Sequence, residues 1–142
     1  RDRESALTKL LLDTTFLIDA DRGGSALDAS IGDDDDVAIA AITIAELLVG
    51  VELADSRHRA RRQRFVDDVS DVIRVIDYDK TVAAAHARLL AATRRQGRPR
   101  GAHDLVIAAT ALATGREVVS ADASAFADLP GVLARSHRPN RS

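Results

Sequence analysis

Apolar and polar positions fall into short blocks along this chain, and the blocks carry two different periods. Leu10 to Leu12 is a wholly apolar run closed by Asp13, the pattern of a strand buried in a parallel sheet. Phe16 to Ala20 opens a helical stretch that Gly23 and Gly24 interrupt. Val37 to Thr43 predicts a second buried strand. Ile44, Leu47, Leu48 and Val51 then recur at helical spacing and mark one apolar face. Gly50 lies inside that helix, where glycine costs up to ~1 kcal/mol against alanine, so close packing is expected there. Arg57 to Val69 predicts a polar, Arg-rich helix, and Val72 to Ile76 a third strand. Asp79 is placed to cap a helix with Val82, Ala85, Leu89 and Ala92 on one face, stopped by Gly97 and Pro99. Leu105, Ala108, Ala109 and Leu112 repeat the spacing in a helix that ends at Gly115. Glu117 to Ala121 is the fourth predicted strand and Val132 to Arg135 a short fifth.

Strands that alternate with helices predict an α/β layer fold with right-handed crossovers and a mainly parallel sheet. No repeat or linker divides the chain. It reads as one domain over 1–142, with a core over about 9–135 and a polar tail over 136–142.

Composition narrows the classes. Hydrophobic residues make up 46% of the 142 and charged residues 30%, as in globular proteins. The absence of Cys excludes a disulfide framework, a thiolate metal site and a Cys nucleophile. No apolar run reaches the length of a membrane span, and a reducing, cytoplasmic setting is expected. With no Met anywhere, Arg1 is read as not the natural start. Only Lys9 and Lys80 among 20 basic residues are Lys, a bias that lowers the weight of any single Arg. A net charge of −2 gives nucleic acid no general attraction, so any such role rests on local clusters.

In an open parallel sheet, ligands gather at the carboxyl ends of the strands. Asp13 ends the first strand, Glu46 is expected in the first turn after the second, Asp104 opens the 102–114 helix, and Asp122 follows the fourth strand. Each has a simpler explanation. Thr43 and Glu46 match a T-x-x-E capping box, Asp104 suits the positive end of its helix, and Asp13 and Asp122 can close turns. Together they are harder to explain that way, because two charges 4 Å apart repel by ~4 kcal/mol at an effective dielectric of 20. A divalent cation relieves that repulsion, and oxygen ligands suit Mg²⁺ or Mn²⁺ rather than zinc.

The segments LLLDTTFLID (10–19), TIAELLVG (43–50), GAHDLVIAATALATG (101–115) and VVSADASAFADLPGV (118–132) resemble a PIN-domain ribonuclease, most closely the VapC toxins of bacterial toxin–antitoxin modules. The resemblance implies a three-layer α/β/α sandwich with strand order 3-2-1-4-5. It implies that Asp13, Glu46, Asp104 and Asp122 form a metal-binding catalytic quartet, with Thr14 and Ser120 as supporting hydroxyls. It further implies Mg²⁺-dependent endoribonuclease activity through a metal-activated water, with Mn²⁺ as a substitute. A VapB-type antitoxin that blocks the acidic pocket, toxin homodimers and toxin–antitoxin hetero-oligomers are implied as well. Ser124 and Ala125 are neutral where many relatives carry another acid, which weakens the expectation of a second tightly held metal.

The basic residues form two clusters. Arg57, Arg59, Arg61, Arg62 and Arg64 read as a solvated helix face. Arg94, Arg95, Arg98 and Arg100 lead into the helix carrying Asp104 and are candidate RNA contacts. Four aromatics give no stacking platform, and Phe16 and Phe126 are expected in the core. His103 reads as a solvated residue at a helix start, with substrate contact as the alternative. Asp33 to Asp36 reads as a solvated loop on the far edge of the sheet. A haloacid-dehalogenase-like phosphatase needs Asp where Thr15 stands, and a receiver domain needs paired acids and a Lys that are missing. No G-x-x-x-x-G-K-[ST] phosphate loop occurs. The alternative function is a PIN-fold RNA-binding or protein-interaction module with weak catalysis.

Overall fold

The computed structural model describes residues 8–23 and 35–137. In chain order the elements are β1 (Lys9–Leu12), α1 (Thr14–Gly23), β2 (Asp36–Ala40), α2 (Ala41–Glu52), α3 (Ser56–Val72), β3 (Arg74–Ile76), α4 (Lys80–Gln96), α5 (Ala102–Thr114), β4 (Glu117–Ser120), a 3₁₀ turn (Ala123–Phe126) and β5 (Ala134–Ser136). The strands form one five-stranded sheet in the order β3-β2-β1-β4-β5. All four neighbouring pairs are parallel. The order and the layered α/β architecture are those the resemblance implied.

The three layers follow from the two-residue period of a strand. Leu10 and Leu12 of β1, with Ile39 and Val119, meet Phe16, Leu17, Leu47, Val51, Val66 and Val69 on one face. Leu11, Ala38 and Val118 meet Val82, Leu89, Leu105, Ala108 and Phe126 on the other. Leu10, Leu11 and Leu12 are all fully buried, as a strand covered on both faces requires. Phe16 and Phe126 are core residues, as expected.

Helix ends follow local chemistry. Asp79 caps α4 by accepting from the Val82 N–H at 3.0 Å. Gly97 and Gly115 close α4 and α5 in the left-handed region, at φ 67° and 66°, which costs glycine nothing.

Several boundaries differ from the sequence reading. β2 stops at Ala40 rather than Thr43, and α2 begins at once from an extended Ala40 that makes no side-chain cap. Thr43 is therefore the third residue of α2 and Glu46 the sixth, so the capping box does not form and Glu46 stands in the second turn. Gly50 does not serve close packing, since a Cβ there would meet nothing within 4 Å. β5 reaches Ser136, and the His137 ring packs edge-on against Phe16 at 5.1 Å, so the expected tail does not begin at 136. Residues 138–142, Asp33 and Asp34 lie outside the described residues. Asp36 is not a loop residue but opens β2, where Arg116, just before β4, donates to its carboxylate at 3.1 Å and its carbonyl at 2.7 Å. Among the described residues, no helix is long and apolar enough to cross a membrane.

Candidate active site at the carboxyl edge of the sheet

Asp13 directly follows β1 and is 3% exposed. Its Oδ1 accepts from the Phe16 N–H at 2.9 Å and from the Thr15 hydroxyl at 2.8 Å, which closes the turn into α1. Burial raises its carboxyl pKa above the usual 3.8; hydrogen bonds from Ser120, Phe16 and Thr15 oppose the rise, and the charge of Glu46 adds to it.

Glu46 reaches the same edge from α2. The Thr14 hydroxyl donates to its Oε1 and lies 3.3 Å from the Thr43 hydroxyl. Asp104 sits in the first turn of α5, behind an N-cap Gly101 that has no side chain to offer. A Cβ at Gly101 would stand 3.2 Å from Asp104 Oδ2, so glycine leaves room for this carboxyl. The Asp104 pKa is raised, first by burial and then by Asp13, Glu46 and Asp122, with only His103 acting the other way. No hydrogen bond steadies the Asp104 carboxyl among the described residues. Asp122 caps the 3₁₀ turn, and Ser124 bonds its Oδ1 through both N–H and hydroxyl.

Asp104 thus feels the charge of the other three acids, and Asp13 that of Glu46, although the four arrive from separate elements. Of the simpler roles, turn closure is real for Asp13 and Asp122, and the capping box is absent for Glu46. Among the described residues Asp104 is left with no hydrogen-bonding role. Among the described residues no group of three or more acidic or His side chains stands close enough together to hold a metal ion as the side chains lie. The donor chemistry at this edge is nonetheless of the kind a divalent cation takes: four carboxylates, two of them with raised proton affinity.

The supporting hydroxyls are at the site. Thr14 holds Glu46, and Ser120 Oγ accepts from the Asp122 N–H at 2.9 Å. The sequence reading missed the role of Thr15 and the partner of His103. Thr15 Oγ1 binds Asp13, lies 3.2 Å from Ser120 Oγ and accepts from the Ala121 N–H at 3.1 Å, tying β1 to the end of β4. A Thr two residues after a strand-ending Asp is the signal that could have found it. His103 is not a partnerless solvated ring, since its Nδ1 lies 2.8 Å from Glu46 Oε2. Only the meeting of α2 and α5 reveals that pair.

The candidate RNA contacts divide. Arg94 and Arg95 are exposed on the last turn of α4. Arg98 pairs with Asp128 at 3.3 Å, and half-buried Arg100 donates to the carbonyls of Ala125 and Ala127, bracing the turn that follows Asp122. The first cluster is more than a solvated face. Arg59 donates to the carbonyls of Val51, Glu52 and Ala54, Arg62 to that of Gly50, and Arg61 to Asp21. Arg59 and Arg62 close the carbonyl-rich end of α2, while Arg61 ties α3 to α1. Between α1, α2 and α3 runs a groove with Leu47, Phe65 and Val66 in its apolar lining, Asp21, Arg61 and Arg62 as charged neighbours, and Glu46 among its residues.

Comparison with known proteins places this arrangement. The PIN domain family matches residues 10–132. A tRNA(fMet)-specific endonuclease VapC of Salmonella typhimurium is 33% identical over 96 residues, spanning 66% of this chain and 70% of that protein. Among solved structures, VapBC-5 of Mycobacterium tuberculosis, a member of the VapBC family of toxin–antitoxin systems, superposes with a TM-score of 0.75 at 30% identity, covering 91% of this chain and 98% of the other. VapBC2 of Rickettsia felis, bound to a DNA fragment from its promoter, shares the fold with a TM-score of 0.80 at 22% identity over 91% and 98% of the chains.

Proposed function

Since this chain belongs to the PIN-domain family, in its VapC-type ribonuclease branch, we propose that it is the toxin of a toxin–antitoxin module and cuts RNA with the help of a divalent cation. The observation that carries the reading is Asp104. It is a half-buried carboxyl with no hydrogen-bond partner among the described residues, and burial and three other acids raise its pKa. A fold gains nothing from such crowding unless a cation resolves it. The alternative, a binding module with weak catalysis, leaves that crowding without a purpose.

Asp13, Glu46, Asp104 and Asp122 would hold Mg²⁺, or Mn²⁺ in its place. When bound, such an ion supplies positive charge at the scissile phosphate and eases ionisation of a water. The chain's own part is positioning. Thr15 and Ser120 fix Asp13 and the β4 end, Thr14 orients Glu46, and Ser124 aims Asp122. Arg94 and Arg95 offer exposed charge to the RNA backbone, with Arg98 beside them, while Arg100 braces the Asp122 turn. No covalent nucleophile is needed. The protein acts in the cytoplasm as a single PIN domain. A VapB-type partner lays a segment along the groove between α1, α2 and α3 and covers Glu46; toxin dimers join into larger complexes with it.

The test is cleavage of candidate transfer, ribosomal and messenger RNAs by purified protein. Cleavage should vanish in EDTA and return with added Mg²⁺ or Mn²⁺. Undiminished cleavage in EDTA overturns the metal reading.

A further inference from the structure

Both oxygens of the Glu46 carboxylate are held by side chains from other helices. Thr14 of α1 donates to Oε1. The His103 ring of α5 stands 2.8 Å from Oε2 through Nδ1. A carboxylate oxygen can only accept, so Nδ1 carries the hydrogen of this bond. Three helices therefore meet on one carboxylate.

This bond is not needed to start α5. Gly101 is its N-cap, and His103 turns away from the helix end toward α2. Nor does burial force it, since the two side chains are 59% and 25% exposed. A free glutamate on a helix surface loses rotamer freedom when fixed. Glu46 must also be fixed while Asp13 and Asp104 repel it. Left with Thr14 alone, its carboxylate could pivot about Oε1 toward solvent. The His103 bond removes that freedom and leaves a second lone pair on Oε2 available. His103 also adjoins Asp104, so one turn of α5 presents both an acid of the site and the donor that aims another.

We propose that His103 is a positioning residue that presents the Glu46 carboxylate to the divalent cation, a role that rests on the metal reading above. Hydrogen-bond partners of metal-ligating side chains typically change metal affinity by about 10- to 100-fold. A purely structural tie between α2 and α5 would change stability in the absence of metal instead.

The experiment titrates Mn²⁺ into the full chain by calorimetry, for wild type, His103→Ala and His103→Asn, with thermal melts of all three in EDTA. The Asn side-chain amide places an N–H donor close to where Nδ1 stands. Wild type should bind Mn²⁺, His103→Ala should bind about tenfold more weakly or worse, and His103→Asn should recover most of the loss. The melts in EDTA should coincide. If His103→Ala binds as tightly as wild type, or more tightly, the positioning role is wrong while the metal reading stands. If Ala and Asn weaken binding equally and both melt lower in EDTA, His103 is a structural tie and the proposal fails. If wild type itself takes up no Mn²⁺, the metal reading falls and this role with it.

Discussion

Asp104 tests the site through its charge. Its pKa is raised above 3.8 by burial and by three neighbouring acids. A raised carboxyl pKa contributes stability that is present below 3.8 and lost as pH rises through the folded value, so the ionised group burdens the metal-free protein at neutral pH. Asp104→Asn should therefore leave metal-free stability unchanged or raise it by up to about 1 kcal/mol, allowing for solvent screening. That advantage should shrink as the solution is acidified through the raised pKa toward 3.8. Millimolar Mg²⁺ should raise the wild-type Tm by mass action, and the variant should lose most of that rise. Paired thermal melts across pH, with EDTA and with Mg²⁺, decide the matter. A variant that melts lower in EDTA and keeps its Mg²⁺ response would make Asp104 an ordinary helix-start residue. Asp104 was legible in the sequence as one of four acids. Its lack of a hydrogen-bond partner among the described residues was not, because that depends on which side chains the fold brings beside it.

At the scale of elements, two glycines in helices predict opposite effects. A Cβ at Gly50 would meet open space inside α2, so Gly50→Ala should gain roughly 0.5–1 kcal/mol from helix propensity alone. Gly115 ends α5 at φ 66°, so Gly115→Ala should lose roughly 1–2 kcal/mol. Urea unfolding of both variants checks the pair. A loss at Gly50 would mean that the groove beside it closes more tightly than the structure has it. The helical periods located α2, α4 and α5 correctly, because periodic apolar faces follow directly from burial. The end of β2 was misplaced by the apolar run Ala40 to Thr43, in which strand and helix look alike. The chain turns at Ala40 because a buried Thr43 and the Leu47–Val51 face pack as helix against β1 and α3.

Across the whole molecule, Arg116 joins the sheet at the edge away from the acids. It is buried, and it donates to the carbonyls of Leu10 and Asp36 and to the Asp36 carboxylate, linking β1, β2 and β4. Its hydrogen bond holds the Asp36 carboxyl below the usual 3.8. A lowered carboxyl pKa contributes stability that is present above 3.8 and lost as pH falls through the folded value, the reverse of Asp104. Arg116→Met keeps the aliphatic stem and leaves the acceptors unpaired, so it should cost roughly 1–3 kcal/mol at neutral pH. Denaturant titration at pH 7 and in acid should show the deficit narrowing in acid; an unchanged midpoint would make Arg116 dispensable. Co-expression with the small protein encoded beside the toxin should give a complex that co-purifies at micromolar concentration with its nuclease suppressed. Failure of the two to co-purify would remove the antitoxin from the proposed function.

The sequence by itself determined the alternation of strands and helices, the two-faced burial of Leu10 to Leu12, the capped start of α4 and the glycine stops of α4 and α5, because each depends on neighbours within a few residues; the four acids it offered only as candidates. The tertiary structure decided what each polar side chain touches. Thr15 joined Asp13 to Ala121, His103 found Glu46 across two helices, Arg100 turned to the Asp122 loop, and Asp36 became the partner of Arg116. Those pairings span up to 106 residues of chain. They form only when sheet order brings distant segments together, and no local period encodes that.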